Sequence, residues 1–153
     1  MKRIASFAIN HDKLKPGLYT SRVDGDVVTY DLRTIIPNCG TYMDNGEMHS
    51  FEHLFATYAR NGEAADKIIY FGPMGCRTGF YLLVRDTLSP SSAIELVQKT
   101  LGEIAAHNGE IPGASPTECG NAAEHDLPKA KALAERMAKA LAGWTKERLV
   151  YEE

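Results

Sequence analysis

Residues 49 to 53 read His-Ser-Phe-Glu-His, within the run NGEMHSFEHLFATYARNG. On an α-helix each residue turns about 100° around the axis, so positions i, i+3 and i+4 share one face. His49, Glu52 and His53 would then point the same way. Two neutral imidazoles one turn apart can chelate a single ion, and a carboxylate beside them can move protons. The same residues also suit an ordinary helix whose histidines are solvated or hydrogen-bonded, because so short a pattern recurs by chance.

A catalytic metal site needs a third protein ligand and an open fourth position. His11, His107, His125, Cys76 and Cys119 are the candidates. His107 falls near an expected helix end, where a cation suits the helix dipole, so a structural role is expected there. Cys119 lies in the polar segment ASPTECGNAAEHD, where an exposed thiol without a task would be a liability. Cys76 lies in FGPMGCRTGF, between glycines and just before Arg77. A nearby guanidinium and free backbone amides favour a thiolate, which makes Cys76 a candidate acid/base or nucleophile. Cys39 reads as a small buried apolar residue. Spacing alone leads to a metal-dependent enzyme of unspecified chemistry. H-x-x-E-H also marks the inverzincin metallopeptidases, and a non-catalytic metal-binding module is a third reading.

The elements that must position these residues follow from local pattern. YTSRV-DG-DVVTYDLRTII reads as two strands around a hairpin at Asp24-Gly25. Met48, Phe51, Leu54, Phe55 and Tyr58, three and four apart, predict a helix over residues 46–60, ended by Asn61-Gly62. KIIYF (67–71) and TGFYLLVRD (78–86) read as two further strands about a Gly/Pro turn. Ser89-Pro90 opens a second helix, with Ser92 and Glu95 at capping-box spacing, running to about His107-Asn108-Gly109. Residues 109–126 read as loop, and an Ala-rich helix follows from about Leu127 to Leu141. Strands without regular β-α alternation predict an α+β fold, an antiparallel β-sheet with helices packed on one face.

At 153 residues the chain has room for one core, so a single catalytic domain, 1–153, is expected. A formal net charge of −3 and the lack of any Lys/Arg run argue against nucleic acid as a partner. No apolar stretch approaches the roughly 20 residues of a membrane span, and no signal-like run opens the chain. A cytoplasmic protein is the expectation. Its three widely spaced cysteines would be free thiols or metal ligands rather than disulfides.

Taken together, several motifs resemble one family, the S-ribosylhomocysteine lyases (LuxS). They are HSFEH with LFATYARN behind it, GPMGCRTGFYL (72–82) and ECGN (118–121) followed by HDL. The amino-terminal SFAINHDKLKPGLY and the YDLR segment ending at Arg33 match as well. The resemblance spans nearly the whole chain in the family's order. It implies metal ligands at His49, His53 and Cys119, and acid/base groups at Glu52 and Cys76. It also implies one divalent ion per subunit, ferrous iron with zinc or cobalt as substitutes, since a His/His/Cys set suits several first-row ions. The implied reaction cleaves S-ribosylhomocysteine to homocysteine and 4,5-dihydroxy-2,3-pentanedione, the precursor of the autoinducer-2 quorum-sensing signal. A homodimer with sites at the subunit interface is implied too. In it Ser6 and His11 would reach the partner's site and Arg33 would help hold the substrate. One departure stands out: where many members carry an acidic residue ahead of Pro-Met-Gly-Cys, this chain reads Tyr70-Phe71-Gly72. A peptidase reading would give Cys76 no purpose, and a metal store would not want an open position.

Overall fold

Apolar and β-branched residues flank a tight turn at Gly25-Asp26 in the computed structural model of the chain, which describes residues 1–153. Strand β1 (Gly17–Asp24) pairs antiparallel there with β2 (Val27–Arg33). Gly25, at φ 59°, adopts the left-handed conformation that closes the hairpin. The turn lies one residue later than the Asp24-Gly25 dipeptide suggests, because Asp24 still pairs with Val27. Ile35 and Ile36 fall beyond the strand's end. The amides of Thr34 and Ile35 donate instead to the Thr78 carbonyl, 2.9 and 3.1 Å away.

Strands β3 (Ile68–Pro73) and β4 (Gly79–Arg85) form the second antiparallel pair. The sheet order is β1-β2-β4-β3, with β4 between β2 and β3 and Arg33 opposite Gly79. That register sets the end of β2 against the turn that holds Cys76.

Four helices complete the fold: α1 (Ala5–Ala8), α2 (Asn45–Arg60), α3 (Pro90–Ala105) and α4 (Leu127–Ala140). The short α1 has no apolar periodicity to announce it. Helix α2 starts where Asp44 accepts a hydrogen bond from the Glu47 amide at 2.8 Å, and stops at Asn61. The cap of α3 is Ser89, which accepts from the Ser92 amide, so Ser92 is the donor in this cap and opens no box with Glu95. Gly143, at φ 69°, follows α4 and precedes a 3₁₀ turn over Lys146–Leu149.

Helices α2, α3 and α4 pack on one another, and α2 lies against β3, giving the α+β arrangement that the element pattern predicts. An aromatic cluster joins helix to sheet. Phe55 stacks on Phe71 with ring centroids 3.9 Å apart, and Phe51 lies 4.8 Å from Phe80. Edge and offset contacts of this kind add to the burial of large apolar area. With Met48, Phe51, Leu54 and Phe55 pinned inward, the flank of α2 that carries His49, Glu52 and His53 is left half-buried.

The cap of α2 gives a test. Lys129 hydrogen-bonds the Asp44 carboxylate and, with the Glu47 amide, holds its pKa below the usual carboxylate range. A depressed carboxyl contributes stability above its unfolded pKa and loses it as pH falls, here below about pH 4. Asp44→Ala should therefore cost about 0.5–2 kcal/mol at pH 7. The gap between parent and variant in urea unfolding should narrow at pH 3.

Candidate metal centre

His49 and His53 are oriented from behind by the loop that follows α3. The Nδ1 of His49 lies 2.9 Å from the Glu124 carbonyl, and the Nδ1 of His53 lies 2.8 Å from the Pro112 carbonyl. A carbonyl can only accept, so each Nδ1 carries the proton and each Nε2 presents a lone pair. Gly113, beside the His53 ring, adopts the left-handed φ of +69° that favours glycine.

Cys119 arrives from a turn in which its amide donates to Ser115 O and Ser115 Oγ donates to Glu118. Its Sγ lies 3.3 Å from His49 Nε2. His125 closes the group, stacked on His49 with centroids 3.9 Å apart. The donor atoms of His49, His53, Cys119 and His125 all lie within 4.8 Å of one another. With metal–nitrogen bonds of about 2.0–2.1 Å and metal–sulfur of about 2.3 Å, a tetrahedral ion would hold N and S roughly 3.5 Å apart. The His49–Cys119 spacing fits a first-row ion. Burial, then the nearby His49 and His53, push the His125 pKa down, so its imidazole resists taking up charge.

Cys76 stands exposed in the β3–β4 turn, its Sγ 3.1 Å from Thr78 Oγ1. The cation beside it comes from across the sheet. Arg33, 2% exposed, donates to Thr78 Oγ1 at 2.7 Å and has Nη1 3.9 Å from Cys76 Sγ. Its other arm pairs with buried Asp31 at 2.7 Å, which also accepts from the Tyr151 hydroxyl at 2.8 Å. Burial alone would weaken the Arg33 charge, but Asp31 raises its pKa above the usual value. Burial, and then Asp31, push the Tyr151 phenol up, so it remains a donor. Arg77, the sequence neighbour expected to face the thiol, has φ 59° and turns to the Met43 carbonyl and the Tyr42 ring.

Glu52 is half-buried on the same helix flank as the two histidines. Ser6 lies on α1, and His11 is bonded through Nδ1 to the Ile9 carbonyl; neither belongs to the four-donor group. His107 has the structural role expected, bonded to Tyr58 Oη and the Glu110 carbonyl. Cys39 corrects the sequence reading. It is exposed in a loop whose residues 38–42 all face solvent, where no apolar surface is available to bury it. Tyr70 is also exposed, at 52%. A hollow of about 560 Å³, lined in part by Pro112, Gly113, Ser115 and His125, borders the cluster but does not reach Glu52 or Cys76. Asp31, Ser50 and Thr78 carried no sequence signal, since each acts through a partner distant along the chain or hidden in the pleat.

The model of the S-ribosylhomocysteinase (LuxS) family matches residues 4–148 of this chain. The chain is 46% identical to the S-ribosylhomocysteine lyase of Clostridium beijerinckii, covering 99% of each protein. It is 43% identical to that of Clostridium acetobutylicum over the full length of both. It is 45% identical to that of Phocaeicola vulgatus, over 99% of this chain and 98% of the relative.

The donor set predicts one tightly held divalent ion per chain. His49→Ala or Cys119→Ala should weaken zinc or cobalt binding by more than the roughly 10–100-fold that disturbing an outer partner costs. Competition with a chromogenic chelator measures this, and His107→Ala should leave the affinity unchanged.

Proposed function

This chain belongs to the S-ribosylhomocysteinase (LuxS) family, and on that premise we infer that it is an S-ribosylhomocysteine lyase. It breaks the carbon–sulfur bond to give homocysteine and 4,5-dihydroxy-2,3-pentanedione. The observation that carries the reading is the gathering of His49, His53 and Cys119, from a helix and a distant loop, into one donor cluster beside Glu52. In our reading these three residues hold the ion, iron(II) by preference with zinc or cobalt as substitutes. When bound, the ion supplies Lewis-acid polarisation of the sugar's carbonyl and hydroxyl oxygens.

The thioether leaves only when a carbonyl activates the neighbouring C–H bond. The sugar's carbonyl therefore moves from C1 to C2 and then to C3. Each move takes a proton from one carbon and returns one to its neighbour. The last step removes the C4 proton as the C5–S bond breaks, and the leaving sulfur is protonated. Cys76 and Glu52 are the two groups we assign to these transfers, working from opposite sides of the carbon chain. Cys76 Sγ supports this assignment by its place, exposed in the β3–β4 turn with Thr78 Oγ1 at 3.1 Å and Arg33 Nη1 at 3.9 Å. No covalent intermediate is needed, so Cys76 acts as a base.

We further propose a homodimer with sites at the subunit interface. Ser6 and His11 would contact substrate bound in the partner's site, and Arg33, beside Cys76, would help hold the substrate. Ile4 and Phe7, 52% and 66% exposed around α1, offer apolar surface for such a contact. The open hollow beside the cluster fits a site finished by a second surface. Three unpaired cysteines suit the reducing cytoplasm, where we place the enzyme. The dihydroxypentanedione product would feed autoinducer-2 signalling.

Thiol release from S-ribosylhomocysteine, followed with a chromogenic thiol reagent on anaerobically metal-loaded protein, tests this. The parent should release homocysteine, and Glu52→Gln and Cys76→Ala should each lose about 10²–10⁴-fold while keeping their metal. Unimpaired turnover in Cys76→Ala would remove the assigned base.

A further inference from the structure

Four side chains converge at the centre, yet their hydrogen bonds divide them into two kinds. His49 and His53 each give an Nδ1 proton to a carbonyl, which leaves Nε2 free to bind an ion. His125 is held differently. Its Nδ1 lies 3.0 Å from Oγ of Ser50, which is fully buried one residue after His49. Ser50 Oγ already accepts from the Asp126 amide at 2.7 Å. The hydroxyl proton of Ser50 then has one acceptor in reach, the Nδ1 of His125. An imidazole that accepts at Nδ1 carries its proton on Nε2. That nitrogen faces Cys119 Sγ at 3.7 Å.

We propose that His125 is not a fourth ligand but a positioning residue, locked by Ser50 as the Nε2–H tautomer and donating its hydrogen bond to the Cys119 sulfur. The inference rests on the metal-site reading above and goes beyond it. Ring geometry agrees. Two imidazoles on one tetrahedral ion, with bonds of about 2.0–2.1 Å, have centroids roughly 5 Å apart. His49 and His53 are 4.7 Å apart and His53 and His125 4.9 Å, so the departure lies in one pair: His49 and His125 stack at 3.9 Å with planes 23° apart. Near-parallel rings this close do not suit convergence on one centre.

The tautomer has a chemical consequence. Four protein ligands would close the coordination sphere, as in structural sites, while three leave a position for substrate. A hydrogen bond to the thiolate withdraws charge from the sulfur and leaves the ion more electron-poor. It also fixes the direction of Cys119, which comes from a loop rather than a helix. Outer partners of this kind tune a metal without touching it.

Long-range ¹⁵N–¹H spectra of the zinc-loaded protein, labelled at histidine nitrogens, read the tautomers directly. His49 and His53 should carry protons on Nδ1 with Nε2 on zinc, and His125 should carry its proton on Nε2. A zinc-bound His125 Nε2, with its proton on Nδ1, would overturn the proposal while leaving the other three ligands in place. A second reading uses the cobalt protein. His125→Ala should keep one cobalt per chain and its coordination number, shift the sulfur-to-cobalt charge-transfer band, and weaken binding by no more than about 10–100-fold. Loss of a nitrogen ligand in that spectrum would contradict the assignment. Absence of cobalt binding in the parent would instead count against the metal-site reading itself.

Discussion

Two hydrogen bonds from imidazole to backbone carbonyl, His49 to Glu124 and His53 to Pro112, tie helix α2 to the long loop before α4. Each does three things at once. It satisfies a carbonyl in a loop that forms no ladder, it sets a tautomer, and it draws the loop to the helix. Cys119 and His125 lie on the segment so held, and so their distances to the helix follow from it. The helix in turn is fixed by Phe51 and Phe55 against Phe71 and Phe80 of the sheet. Rotating α2 to expose its histidines fully would unstack those rings, at a cost of several kcal/mol for aromatic side chains of this size.

A second constraint comes from the sheet. Antiparallel pairing of β2 with β4 puts Arg33 opposite Gly79 and carries the guanidinium under the β3–β4 turn. Arg33 is among the largest fully buried side chains, held by Asp31 and Thr78. A buried pair of this kind is weak evidence of net stability, because desolvation offsets most of the attraction. Its position 3.9 Å from Cys76 is consistent with the acid/base role proposed for that thiol. The same ion pair leaves Asp31 Oδ1 and Arg33 Nε without partners, a cost that a purely structural core would avoid.

Much of this was legible along the chain and some was not. The 3.6-residue repeat of Met48, Phe51, Leu54 and Phe55 located α2 and put His49, Glu52 and His53 on one flank, because helical geometry is local. Asp24-Gly25 and Ser89-Pro90 marked a hairpin and a helix start to within a residue for the same reason. Strand order was hidden: nothing local tells β2 to pair with β4, so Arg33 could not be placed beside Cys76, and Arg77 was the natural wrong choice. Cys119 stood out of five possible third ligands only through the motif resemblance, since 70 positions separate it from His49. His125 was one of the same five, but its tautomer depends on Ser50, a residue whose side chain has no meaning until it is buried.

X-ray absorption at the metal edge of the loaded, substrate-free protein tests the centre most directly. The account predicts one sulfur at about 2.3 Å and two imidazole nitrogens at about 2.0–2.1 Å, with the remaining position taken by oxygen. A shell with no sulfur, or with three imidazoles, would contradict it.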